Sequence, residues 1–318
     1  MKIDQVSSFL NFKSANVLAK ILEVNPLLQF AEFRLEPSNF GNIPDKSSFS
    51  GSAARAEGSA AQADAQVPSP SYGKLAIYDR EITVDNLRVQ DINVSGSPAG
   101  LQRFMDRQVA AVAVKLGSEV QIDMIQGTAA DNKMLGLANF VKDAASGGQT
   151  AALGFTAAEQ AAMNSQVSLQ LNTTANQDSF IETLMKRVAA VPGANAIVCN
   201  INLAARLTTI AKRLGAAGET LNSFGTRVNT FNGIPIIAVD TNTITQTESD
   251  GTNSDCTSLF VVRFAEELGV AFGTNTGFYY QDFPQEQAKP DAKARVGFYL
   301  NLSVERTDAV RRLSRIRL

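Results

Sequence analysis

Residues 101–127 read LQRFMDRQVAAVAVKLGSEVQIDMIQG. Leu101, Met105, Val109, Val112, Leu116, Val120 and Met124 follow one another at intervals of three or four. That spacing predicts one apolar stripe along about 26 residues, or roughly 39 Å of helix. Ser97-Pro98 offers its start and Gln126-Gly127 its end. Helices of globular domains average about 11 or 12 residues, so this one reads as a structural strut.

Upstream, Val6, Leu10, Val17, Ile21, Val24 and Leu28 predict an amphipathic helix over residues 4–30, stopped near Asn25-Pro26. From Glu32 to Ser50 the chain turns polar, with Pro37 and Pro44, and reads as an extended arm without packing of its own. Gly51 to Leu75, GSAARAEGSAAQADAQVPSPSYGKL, is almost all Ala, Ser, Gln and Gly, and Val67 is its only β-branched residue. It holds too little apolar surface to close a core. KLAIYDREITVDNLRVQDINV, residues 74–94, carries Ile77, Ile82, Val84, Leu87 and Val89 between charges and predicts strand.

Downstream of the strut, residues 131–176 are rich in Ala, Gly, Gln and Asn and are locally ambiguous. Asp178 is the expected cap of a helix running to Val191, stopped by Pro192-Gly193. Ala196–Cys199, Ile234–Val239 and Leu259–Val262 read as short buried strands, and residues 202–214 as a helix. Residues 241–256, TNTITQTESDGTNSDC, read as a polar surface loop. Strand returns from Gly277 to Asp308, and a basic tail, RRLSRIRL, closes the chain.

Composition removes whole classes of chemistry. The 318 residues include no His, which excludes imidazole bases, triads and metal ligands. No P-loop, GxSxG elbow, HExxH or dinucleotide glycine pattern is present. Cys199 and Cys256 are too few and too far apart for a zinc knuckle or a CxxC pair. Cys199, in an apolar run, reads as a buried inert thiol. Asp250, Asn253 and Asp255 carry oxygens that suit Ca²⁺ but lack EF-hand spacing, so an Asx-rich turn is the plainer reading. Glu266-Glu267 reads as a solvated face. No catalytic residue, metal ligand or cofactor site is therefore assigned. The 29 basic and 31 acidic residues give a net charge of −2 and no bias toward nucleic acid. No uncharged apolar run reaches the roughly 18 residues that span a bilayer, so no membrane contact is expected. Two cysteines and no secretory signal read as a reducing cytoplasm. Arg311, Arg312, Arg315 and Arg317 form the one charge cluster, fit for phosphate, for a neighbouring subunit's carboxylates or for a solvated tail.

The order of these elements resembles the HK97-type major capsid protein of tailed bacteriophages. ARAEGSAAQADAQVPSPSYGKLAIYDREITV (54–84) is similar to the family's E-loop and its exit strand. Residues 101–127 are similar to the spine helix, and NKMLGL (132–137) to the glycine turn behind it. ANAIVCNINLAARLTTIAKRLG (194–215) and FNGIPIIAVD (231–240) resemble the axial domain. LFVVRFAEELGVAFG (259–273) and ARVGFYLNLSVERTDAVRRL (294–313) resemble the closing strands. None is a strict motif, but together, in order, they span roughly 270 residues.

The resemblance implies an α+β HK97-like capsid fold. Residues 1–50 would be an N-terminal helix and N-arm, and 51–80 the E-loop. The P-domain would take 81–177 and 281–306, with the spine helix over about 101–126, and the mixed α/β A-domain would take 178–280 and 307–318. It implies a shell subunit, not an enzyme, assembling with itself into hexamers and pentamers around double-stranded DNA held by weak non-specific contact. Portal and separate scaffold or decoration proteins are the other implied partners, and the implied location is a virion capsid assembled in the host bacterial cytoplasm. Expected subunit contacts are Arg55, Glu57 and Asp64 on the E-loop, Phe30, Phe33 and Phe40 on the N-arm, and Arg311, Arg312 and Arg315. The spine helix is expected to lay its stripe on the P-domain sheet, with Gly117 as its bend point. Some members weld E-loop lysines to a neighbour's asparagine. Residues 59–71 hold no lysine, and Lys74 lies at the base, so no cross-link is expected at the tip. An encapsulin-like protein compartment, with residues 4–30 as an inner cargo-binding helix, is the alternative. A soluble α/β enzyme with an unrecognised site is the remote one.

Overall fold

The computed structural model describes residues 12–35, 39–42, 71–85, 98–128, 132–141, 157–221, 225–275, 278–283 and 291–318. The described chain begins with helices α1 (Phe12–Val24) and α2 (Pro26–Phe30), broken at Asn25. Asn25 is fully buried, and its side chain is spent on both sides of the break. Its Oδ1 accepts from the Leu28 amide at 3.3 Å, and its Nδ2 donates to the Gly117 carbonyl at 3.2 Å. Val17, Leu18, Ile21 and Leu22 of α1 and Leu27 and Leu28 of α2 are buried in the core.

The segment expected to be an unpacked arm instead pairs. Strand β1 (Phe33–Leu35) lies parallel to a later strand, and Phe33 has no exposed surface. Its ring meets Phe272 at 5.9 Å and Phe298 at 6.3 Å between centroids. Aromatic burial outweighs the polar surroundings that suggested an extended arm. Strand β2 (Asn39–Asn42) pairs antiparallel with β3 (Ser71–Lys74), and β4 (Ala76–Asp85) follows.

Helix α3 (Pro98–Gln126) carries the predicted stripe. Val109, Leu116, Val120 and Met124 are buried, and Met105 and Val112 pack half-buried against the same core. The stripe is shared: α1 lies along it together with the sheet, a partner the expectation of sheet packing alone omitted. Gly117 is where α1 comes closest, because a Cβ there would sit 3.2 Å from the Ile21 carbonyl oxygen and 3.3 Å from its Cα. Its lack of a side chain thus has a packing reason, independent of any bend. Asn139 closes the helix, donating from Nδ2 to the carbonyls of Gln126 at 3.2 Å and Gly127 at 2.6 Å.

Next come α4 (Leu137–Phe140), α5 (Ala157–Met163), β5 (Asn164–Gln170) and α6 (Thr174–Ala189). The cap of α6 is Thr173, whose hydroxyl accepts from the Asn176 amide at 3.3 Å. Asp178, the expected cap, lies inside the helix and pairs with Arg213 at 2.5 Å. The helix therefore starts before its apolar face begins at Phe180. The remaining elements are β6 (Ala196–Asn200), α7 (Ile201–Arg213), β7 (Ala217–Leu221), β8 (Arg227–Phe231), β9 (Ile234–Val239), β10 (Cys256–Val262), β11 (Val270–Thr274), β12 (Phe278–Phe283), β13 (Asp291–Val304) and β14 (Val310–Arg317). Asn232 and Gly233, with φ of 49° and 81°, join β8 to β9 by the two-residue turn that Asn-Gly favours.

Two sheets organise the molecule. One has seven strands in the order β5-β14-β10-β6-β9-β8-β7; the other has β1-β11-β13-β12 with β4 on the free side of β13. Every residue of β6 and β10 is buried. Ile197, Cys199, Leu259 and Val261 face the core under α6 and α7, whereas Ala196, Val198, Phe260 and Val262 face the core shared with α3 and the five-stranded sheet.

Sheet membership cuts the chain differently from the expected domain limits. β5, inside the expected 81–177, belongs to the seven-stranded sheet, and β11, inside the expected 178–280, to the other. β5 lacks an apolar run, and β11 follows β10 so closely in sequence that the crossing between sheets leaves no composition signal. The closing RRLSRIRL is no tail: it forms most of β14, an interior strand with Leu313 and Ile316 fully buried.

Candidate assembly surfaces

Arg55, Glu57 and Asp64 lie outside the described residues. Phe30 packs half-buried against the core. Phe40 sits on β2 opposite Gly73. Phe33 is enclosed by its own subunit and is no contact for a neighbour, which corrects that expectation. Beside it, Arg34 forms an ion pair with Glu305, whose other oxygen accepts from the Leu268 amide at 2.7 Å.

The C-terminal arginines divide. Arg312 turns inward to a polar hub. Its Nη2 donates to Glu248 at 2.6 Å, its Nε to Ser258 at 3.0 Å, and its Nη1 to the Val141 carbonyl at 3.1 Å. Its guanidinium also stands over the Phe260 ring at 5.6 Å. Glu248 further accepts from the Ser258 hydroxyl and from the Arg315 amide at 3.1 Å. Arg312 is thus withdrawn as a subunit contact, because its donors are used within the chain. The Arg311 guanidinium donates to the carbonyls of Thr307 and Val310, and burial first, then Arg187 nearby, pull its pKa down. Arg317 pairs with Asp255 at 2.9 Å. Part of the loop read as surface is also drawn inward: Thr243 and Ile244 are buried, and Gln126 donates to the Thr243 carbonyl at 2.8 Å.

Groups weighed for chemistry are engaged elsewhere. Asp250 Oδ1 accepts from the amides of Thr252 at 2.8 Å and Asn253 at 2.6 Å, an Asx turn, and those bonds hold its pKa down at about 2. Burial pushes the Cys199 thiol up to about 12, away from any thiolate role. Among the described residues no group of three His, Cys, Asp or Glu could hold a metal ion, and no helix is long and apolar enough to cross a membrane.

A cleft of about 560 Å³ lies between α3 and β4, walled by Arg80, Glu119, Ile122, Asp123 and Lys133 among others. Arg80 donates to Glu119 at 2.5 Å, and Lys133 to Asp123 at 3.2 Å, so its charges are paired in place. The Met134 amide donates to the Tyr78 hydroxyl at 3.1 Å, and burial raises the Tyr78 pKa. On the far side of β4, Ile77, Asp79 and Glu81 stand exposed beside Tyr279, Arg295 and Tyr299. Neither this face nor the Glu248 hub was named from sequence. Residues 81–84 alternate polar with apolar, a partial signal for the first; the hub joins residues 64 apart and left none.

Known structures share this arrangement. The SrpI encapsulin of Synechococcus elongatus superposes with a TM-score of 0.61 at 14% identity, over 92% of this chain and 89% of that one. The capsid of a native GTA particle gives 0.57 at 13% identity, over 93% and 89%. A virus-like particle from Pyrococcus furiosus gives 0.50 at 11% identity, over 94% and 96%. No family model matches the chain, and no curated protein matches it in sequence. At these identities the likeness is one of fold: a mixed α/β chain with the HK97-like architecture.

Proposed function

We propose that this chain is the subunit of a closed icosahedral shell, a major capsid protein that assembles as hexamers and pentamers around double-stranded DNA. The observation that supports it most is the fold likeness to three different shell-forming particles, each over about nine-tenths of both chains. Such a subunit needs self-complementary surfaces rather than a reactive centre. A net charge of −2 suits a container whose contents must slide.

On this reading α3 is the spine helix and residues 51–80 the E-loop, laying Arg55, Glu57 and Asp64 on an adjacent subunit without a covalent link. The five-stranded sheet with α3 is the P-domain, and the seven-stranded sheet with α6 and α7 is the A-domain at the capsomer centre. Phe30, Phe40, Arg311 and Arg315 remain as subunit contacts, and Gly117 as a bend point during expansion. Portal, scaffold or decoration proteins complete a virion built in the bacterial cytoplasm. The likeness to an encapsulin keeps a protein-filled compartment as the second reading.

Electron microscopy of the purified chain, followed by analysis of nuclease-treated particles, tests both. Closed particles with protected nucleic acid are expected. Closed particles holding only another protein would favour the compartment, and a small soluble oligomer would overturn the shell.

A further inference from the structure

Three strands of the five-stranded sheet present a second face on which, among the described residues, Ile77, Asp79 and Glu81 stand exposed. Directly paired residues of a sheet point to the same side. The register sets Ile77 beside Tyr299, Asp79 and Tyr279 on either side of Gly297, and Glu81 and Gln281 on either side of Arg295. The opposite side is filled: Ile82, Val84, Val296, Phe298 and Leu300 are buried in the core with α1 and α3. On the second face Ile77 remains 60% exposed.

This face is built as more than a wetted surface. Tyr279 and Tyr299 stack at 5.3 Å between centroids, and a Cβ at residue 297 would overlap the Tyr279 ring. The glycine therefore lets the ring lie down against the sheet, giving a rigid, amphipathic platform beside Ile77. Next to it, Arg295 stands over the Phe283 ring at 5.7 Å and reaches Asp79 and Glu81 at 3.7 Å each. Both distances exceed a hydrogen bond, and its buried Nε has no acceptor. The arginine is held by charge with hydrogen-bonding capacity left over.

We infer that this face docks a second copy of the chain, an inference that rests on the shell reading and names one surface through which it would act. Its charges select the partner. Asp79 and Glu81 face Arg295 and Lys293 in adjoining rows, and Asp85 pairs with Asp291 at the end of the same face, so it has no excess positive charge with which to hold a polyanion. Interleaved opposite charges around aromatic and aliphatic groups are self-complementary across a two-fold or quasi-two-fold axis. An acceptor from the partner would complete Arg295, while Ile77 and the tyrosines supply the apolar centre.

Hydroxyl-radical footprinting of particles against dissociated chain tests this, together with the particle yield of Ile77→Arg. Tyr279 and Tyr299 should label several-fold less in particles. Ile77→Arg should lower particle yield about tenfold or more at an unchanged melting temperature, since the side chain it replaces is exposed. Particles in which both tyrosines label as in free chain would overturn the docking face and leave the shell standing. A chain that forms no particles and stays monomeric would overturn both. Protection that appears only with a different protein added would overturn the choice of a second copy.

Discussion

The two sheets solve opposite problems. In the seven-stranded sheet, β6 and β10 are covered on both faces, by α6 and α7 on one side and by the shared core on the other. In the five-stranded sheet, β4, β12 and β13 are covered on one face and leave Ile77, Tyr279, Tyr299 and Arg295 on the other. Strands buried on both sides need unbroken apolar runs, and those with one wet face alternate. The first sheet therefore spends both faces of these strands on folding, and the second leaves one face of its strands outside the core.

Substitutions can break that contrast, beginning with the largest effect. Val261→Asp places a carboxylate between β10's covered neighbours and should cost more than about 5 kcal/mol, leaving no folded chain. Recovery of soluble, cooperatively melting protein would contradict the two-sided burial. Arg312→Ala leaves Glu248 in the hub without its cation and should cost about 3 kcal/mol, read as a lower denaturant midpoint with the slope retained. Asn25→Ala removes the cap of α2 and the Nδ2 bond that ties it to the Gly117 carbonyl, a loss of about 2 kcal/mol. Ile77→Ser, on the open face, should change stability by no more than about 0.5 kcal/mol. A large loss of stability there would mean that this face serves the fold after all.

The contrast also explains what could be read from sequence. Ala196–Cys199 and Leu259–Val262 were legible because burial on both sides leaves an uninterrupted apolar run. The long helix was legible because one stripe repeats over seven positions, from Leu101 to Met124. β1 was not, because three residues between polar neighbours carry no period, and Phe33 is explained only by Phe272 and Phe298, far along the chain. β14 read as a tail because arginines outnumber the apolar residues in RRLSRIRL, whereas the positions of Leu313 and Ile316 decide its burial. The start of α6 was misplaced because Asp178 and Thr173 both suit a cap, and only the backbone shows which amide is waiting. Tyr279, Tyr299 and Arg295 converge through strand register alone, which no local pattern in a single chain specifies.

A three-dimensional reconstruction of assembled particles, at a resolution that traces side chains, tests the division between folding and association most directly. It should show the Ile77–Tyr279–Tyr299 face covered by a neighbouring copy, with an acceptor on Arg295, while β6 and β10 remain enclosed within one subunit. A closed shell in which that face lies bare to solvent would contradict it.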